Sequence, residues 1–289
     1  MISIEPGSSP TVRRILLGSQ LRRMREAKGI TREDAGYLIR ASESKISRME
    51  LGRVGFKERD VLDLLGMYGV DEEAERDALV ALAREANAPG WWHKYTDVLP
   101  YWFQTYVGLE EAASVLRVYE VQFVPGLLQT ADYARAVIAL GQPGAPAEEI
   151  ERRVSIRITR QELLAKHDGP RLWAVVDEAV LRRPIGGLEV IRAQIEQLIK
   201  STQDARVTLQ VMPFRSGGHA AEGGAFTVLR FPETDLPDVV YLEQLTSALY
   251  LDKREDAERY SEVMERLSVE SEPPERTADI LRDILGDLG

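Results

Sequence analysis

The chain has 289 residues, with 47 Asp+Glu against 37 Lys+Arg and a formal charge of −10, a length that favours two domains over one small one. Hydrophobic residues make up 44% and charged residues 29%, which argues against long disorder, collagen-like sequence and a membrane protein. Cysteine is absent, which excludes disulfides, thiolate nucleophiles and cysteine-ligated metals together, and a reducing compartment, the cytoplasm, is expected.

The opening stretch MISIEPGSSP has neither the basic nor the apolar region of an export signal, and residues 1–12 read as a disordered tail. Residues 13–88 read as five short helices. The first runs near Ile15–Lys28 and stops at Gly29. The second is capped by Thr31 with Asp34 three residues on, and ends near Ile39. The third is capped by Ser42 and stops at Gly52, the fourth covers about Lys57–Tyr68, and the fifth starts at Asp71. The segment 89–106 holds Pro89, Gly90 and a run of aromatics, and reads as an aromatic linker between domains. From 107 to 289, a helix near Leu109–Leu116, the extended VYEVQFVPG, helices from Thr130 and from Ala147 to Lys166, and the strand RLWAVVDEAV follow in turn. A helix at Leu188–Thr202, the strands VTLQVMPF, AFTVLRF and VVYLEQL, and two C-terminal helices complete an α+β domain. The densest apolar run, LWAVV, is too short to span a bilayer.

Charge divides along the same line. Residues 1–69 hold 13 Lys+Arg and 9 Asp+Glu, a balance of +4, which leaves −14 for residues 70–289. The total argues against nucleic acid, but the positive balance of the first segment reverses that for the N-terminal domain. Within it, Gly29–Gly52 has the spacing of a helix-turn-helix, with Ala35, Leu38, Ile39, Ile46 and Met49 inward and Glu43, Ser44, Lys45, Ser47 and Arg48 outward. Gly36, in the second helix, is expected to cost about 1 kcal/mol relative to Ala. Arg40-Ala41 occupies a turn that calls for φ > 0.

The stretch LRRMREAKGITREDAGYLIRASESKISRMELGR resembles the DNA-binding domain of XRE-type, phage-repressor-like regulators, whose third helix commonly reads S-x-S-x-I-S-R-x-E-x-G; Ser42, Ser44, Ile46, Ser47, Arg48, Glu50 and Gly52 match. The resemblance implies that Glu43, Ser44, Lys45 and Arg48 face base edges, that Arg32, Arg53 and Lys57 hold phosphates, and that Arg25 and Glu50 form a structural pair. Chemically, Arg48 suits guanine and Glu43 suits cytosine N4. The remainder, including WWHKYTDVLPYWFQTYVGLEEAAS, VVDEAVLRRPIGG and VVYLEQLTSALYLD, resembles the C-terminal domain of WhiJ-like, Scr1-type antitoxin-like regulators. That implies transcriptional regulation and a small BldB-like protein partner.

The histidines His93, His167 and His219 lack metal-ligand spacing, and His219 with Glu222 lies in RSGGHAAEGGAF, which reads as a hairpin loop. No catalytic residue, cofactor or metal is expected, and the chain is not read as an enzyme. Asp177 and Glu178 read as a helix cap or loop contact. The aromatics Trp91, Trp92, Tyr95, Trp102 and Tyr106 read first as packing between domains and second as a ligand or partner site, with Glu120 and Gln122 beside them. The expected function is a sequence-specific, DNA-binding transcriptional regulator that forms a homodimer and has no membrane role. Its C-terminal domain would bind a small protein or a ligand. The alternatives are an antitoxin-like protein that sequesters a small partner and binds DNA only to regulate itself, or a small-molecule sensor.

Overall fold

The computed structural model describes residues 10–232 and 236–288. Two compact units emerge: one runs to Lys94 and adds Gln104–Ala112, the other holds Tyr95–Phe103 and the residues from Ala113 on. Of the tail expected at 1–12, residues 1–9 lie outside the described residues, while Pro10–Val12 are not tail but open the first helix. Proline is well suited to that first position, where its missing N–H has no helical partner.

The first unit holds α1 (Pro10–Ala27), α2 (Arg32–Leu38), α3 (Glu43–Glu50), α4 (Glu58–Met67) and α5 (Glu73–Ala86). Its core is one cluster that includes Leu17, Leu21, Ala35, Ile46, Met49, Val61, Leu64, Leu65, Leu79 and Leu82. These are the positions that helical periodicity puts on one face of each helix, and their burial drives the bundle at about 1.5–3 kcal/mol per large side chain. Leu38, expected inward, is 42% exposed.

The expected helix at 109–116 is displaced. The helix α6 (Tyr101–Ala112) starts inside the aromatic run, and Val115 already opens a strand, with the division between the two units falling within α6. Pro100 stops the preceding turn and the Tyr101–Tyr106 stretch carries no breaker, which lets the helix begin there.

The second unit is built on a six-stranded mixed sheet in the order β3-β2-β1-β4-β5-β6. The strands are β1 (Val115–Glu120), β2 (Arg171–Asp177), β3 (Val207–Met212), β4 (Phe226–Arg230), β5 (Val239–Glu243) and β6 (Ala248–Leu251). β1 runs parallel to β2 and β2 to β3, while β4, β5 and β6 pair antiparallel. Helical crossovers explain the parallel half: α7 (Ala131–Gly141) and α8 (Ala147–Ala165) join β1 to β2, and α9 (Glu178–Arg182) and α10 (Leu188–Ser201) join β2 to β3. On one face Tyr119, Val175, Val228 and Val240 pack against Ala257, Met264 and Leu267 of α11 (Arg254–Glu270). The last helix, α12 (Pro274–Asp287), packs on β3 and α10 of its own unit, and Thr277 Oγ1 donates to the Leu209 carbonyl at 2.6 Å.

Candidate nucleic-acid interface

Two side-chain caps fix the helix-turn-helix. Thr31 Oγ1 accepts from the Asp34 N–H at 3.1 Å, and Ser42 Oγ accepts from the Lys45 N–H at 3.2 Å. Each satisfies an otherwise orphaned donor of a first turn. Between the helices, the Arg40 N–H donates to the Tyr37 carbonyl and the Ala41 N–H to the Gly36 carbonyl, at 3.2 and 2.8 Å. This is a Schellman closure, which puts Arg40 at φ +53°, while the equivalent position after α3 is Gly52. Gly36 has a positive role that propensity misjudges: a Cβ there would lie 2.8 Å from the Ala41 carbonyl oxygen, so glycine is what allows the turn to fold back on α2.

Behind α3, Arg25 donates through Nε to Glu50 Oε1 at 2.5 Å and through Nη2 to Oε2 at 3.1 Å, while Nη1 donates to the Ile30 carbonyl at 2.8 Å. The hydrogen bond to Glu50 raises the Arg25 pKa and outweighs the opposing burial. Arg32, expected on phosphate, donates through Nε to the same Glu50 at 2.9 Å. One carboxylate therefore serves two guanidiniums, and Arg25 Nη2 also donates to Glu26 Oε1 at 3.3 Å. Burial, with Glu50 next, pushes the neighbouring Tyr68 phenol up to about 12.

On the outward side, Glu43, Ser44 and Arg48 are exposed, and Arg48 Nε rests 3.3 Å from the Ser44 carbonyl. Lys45 is half-buried and its Nζ donates to Asp60 Oδ2 at 2.7 Å. Arg53 is half-buried and Lys57 exposed. Sequence reasoning missed Asp60 and missed that Arg32 and Lys45 have acidic partners within the chain. It also missed an open groove of about 660 Å³ lined by residues such as Ile30, Asp34, Tyr37, Leu38 and Met67, in which Tyr37 is 88% exposed.

In the second unit Glu120 ends β1. It is half-buried by accessible area, yet its carboxyl is packed round by protein, and burial, followed by the nearby Glu243, pushes it up to about 8 against the opposing pull of Arg157. Glu243 is itself held by the Tyr241 hydroxyl at 2.9 Å.

Residues 16–79 match a family described as a helix-turn-helix domain, and residues 103–283 match the domain of unknown function DUF5753. The chain belongs to the DUF5753 family. No curated protein and no solved structure matches the chain. A helix-turn-helix ahead of a DUF5753 domain points to DNA binding.

The expected aromatic site of this DUF5753 protein is divided between the units. Trp91, Trp92 and Tyr106 belong to the first, with Trp92 and Tyr106 buried and the two tryptophans edge to face at 6.0 Å. Tyr95, Trp102, Glu120 and Gln122 belong to the second. There, buried Tyr95 lies 3.2 Å from Ser155 Oγ, Trp102 meets Phe103 edge to face, and Gln122 is exposed. Asp177 caps α9 through the Ala179 N–H at 2.8 Å, and Glu178 Oε2 accepts from the Phe214 N–H at 3.0 Å. His219 Nε2 lies 2.7 Å from the Tyr119 hydroxyl and Glu222 is exposed, so the pair is not gathered into a site. Among the described residues no group of His, Asp and Glu is placed to hold a metal, and no helix is long and apolar enough to cross a membrane.

Proposed function

We propose that the chain is a sequence-specific DNA-binding regulator of transcription that works in the cytoplasm as a homodimer. In this reading Glu43, Ser44, Lys45 and Arg48 meet base edges, and Arg53, Lys57 and an Arg32 released from Glu50 meet phosphates. The observation that carries it is the outward face of α3: Glu43, Ser44 and Arg48 are exposed on a helix locked from behind by buried Ile46, Met49 and Glu50. A rigid polar helix of that kind suits the major groove, and dimerisation would add the second half-site that one small module needs for affinity. The test is equilibrium binding of the full chain to a selected duplex and to random duplex across a salt series. Arg48→Ala should lower the preference for the selected duplex, and Lys57→Ala should weaken both duplexes alike and reduce the salt slope by about 1. Equal losses on both duplexes from both variants would overturn the division of roles.

For the DUF5753 domain, the proposal is that it receives the signal by binding a small BldB-like protein or a ligand close to Glu120. The support is chemical. A carboxyl pushed up to about 8 is largely protonated near neutral pH and can donate a hydrogen bond, and perturbed groups of this kind concentrate at binding sites. Glu120→Ala should abolish co-purification of the small protein that the wild-type chain captures from its native host; unchanged capture would remove Glu120 from the partner site.

A further inference from the structure

Lys45 differs from its neighbours on α3. Glu43, Ser44 and Arg48 stand out to solvent, whereas Lys45 is half-buried and fixed to Asp60. Asp60 lies in the first turn of α4, where the helix dipole favours a carboxylate. Its side chain is only 12% exposed, against 31% for Lys45. Among the described residues no other cation is paired with Asp60. The two are 15 positions apart, so nothing in the local sequence pattern connects them.

We propose that Asp60 is a positioning residue that turns Lys45 from a general phosphate contact into a sequence-discriminating one. The inference rests on the reading of α3 as the base-contacting helix. An ammonium has three N–H donors, and one of them aimed at Asp60 fixes the side chain while leaving two for acceptors such as guanine O6 and N7. Holding the lysine before binding removes rotamer entropy that would otherwise be lost on DNA. The pair has no net charge, so Lys45 contributes little to counterion release, which governs binding to any sequence. A base that offers no acceptor is penalised, because re-aiming the lysine would leave the largely buried Asp60 carboxylate without its partner.

The experiment uses the full chain as wild type, Asp60→Asn, Asp60→Glu, Lys45→Met and the double variant Asp60→Asn with Lys45→Met. Wild type first selects a duplex from a randomised pool, and binding to that duplex and to random duplex is then measured across a salt series. Asp60→Asn should bind random DNA more tightly, with a salt slope steeper by about 0.9, and its selected-to-random preference should fall about tenfold. Asp60→Glu, which keeps the charge, should keep the wild-type slope on random DNA. Lys45→Met should lose preference with the random-DNA slope unchanged, and the double variant, which leaves no unpaired carboxylate, should keep that slope and lose the preference without the stability cost of the single variant. A purely structural ion pair would also free Lys45 and steepen the random-DNA slope in Asp60→Asn, but it would leave the selected-to-random preference unchanged, so the preference is the deciding readout. If wild type selects a duplex but Asp60→Asn keeps both slope and preference, the positioning role is overturned and the DNA reading stands. If wild type binds no duplex, both are overturned. Should Asp60→Asn fail to fold, Lys45→Met decides: a random-DNA slope shallower by about 0.9 would mean that Lys45 neutralises phosphate, contrary to the proposal.

Discussion

Removing the Glu50 carboxylate tests the framework that holds α3. The Glu50 side chain is 2% exposed and that of Arg25 7% exposed, and together they make two hydrogen bonds at 2.5 and 3.1 Å. In Glu50→Ala the Arg25 guanidinium keeps only the Ile30 carbonyl at 2.8 Å and the half-exposed Glu26 at 3.3 Å. Breaking a buried pair by deleting one partner costs about 3–5 kcal/mol, and the remaining contact with Glu26 places this case at the lower end, about 3 kcal/mol. Because the chain forms two units, hydrogen exchange of individual amides is a better assay than one global unfolding curve. The amides of Ile46 and Met49 should exchange about 10²-fold faster in Glu50→Ala, from RT of about 0.59 kcal/mol. Replacing both partners, as Arg25→Met with Glu50→Met, should recover most of the protection, since an apolar pair of similar volume leaves no buried charge. An acceleration below about fivefold in the single variant, or equal losses in single and double variants, would refute the reasoning.

Three further outcomes follow from particular positions. Gly36→Ala, favourable by helix propensity, should instead destabilise α2 by about 1 kcal/mol or more, read as lower amide protection in α2, because the added Cβ meets the Ala41 carbonyl at 2.8 Å. Arg40→Gly should stabilise the same turn by about 0.5–1 kcal/mol, seen as a higher midpoint for the first unit, since φ +53° costs a side chain that glycine does not carry. For Glu120 the folded carboxyl is pushed up to about 8 from an ordinary 4.5. The folded state therefore keeps a proton that the unfolded state releases between those values. Stability contributed by this site is greatest below about 4.5, falls as pH rises to about 8, and is flat beyond. Glu120→Gln should remove that fall, a gain over wild type of up to about 4 kcal/mol at pH 8, measured by denaturant unfolding at both pH values.

The features legible in the sequence were those encoded within one helical turn. Thr31, Ser42 and Gly52 announce helix ends because caps act over three or four residues, and the inward apolar positions of α3 follow from period alone. Among long-range pairings, Arg25 with Glu50 came from the family resemblance and from no local pattern, and the others were not legible. Arg32 with Glu50 and Lys45 with Asp60 join residues 18 and 15 apart, and the two cations read only as phosphate and base contacts until the fold brings the acids beside them. Gly36 was misjudged because propensity describes an isolated helix, whereas a neighbouring carbonyl decides this position. In the second unit LWAVV gave β2, a strand buried on both faces. The four-residue β6, an edge strand of half-exposed residues, lacks both length and a clear alternation and was not assigned. Glu120 was picked out as a polar group beside aromatics, but its raised pKa depends first on burial by the folded unit and then on the charge of Glu243 on β5, which no local pattern encodes.

The central claim is that α3 reads a DNA sequence. Its most direct test is genome-wide occupancy of the full chain in its native host, beside the Arg48→Ala chain. Discrete bound sites that share one motif are expected, with that motif degraded or lost for Arg48→Ala. Uniform background occupancy, or discrete sites whose motif is unchanged by Arg48→Ala, would contradict it.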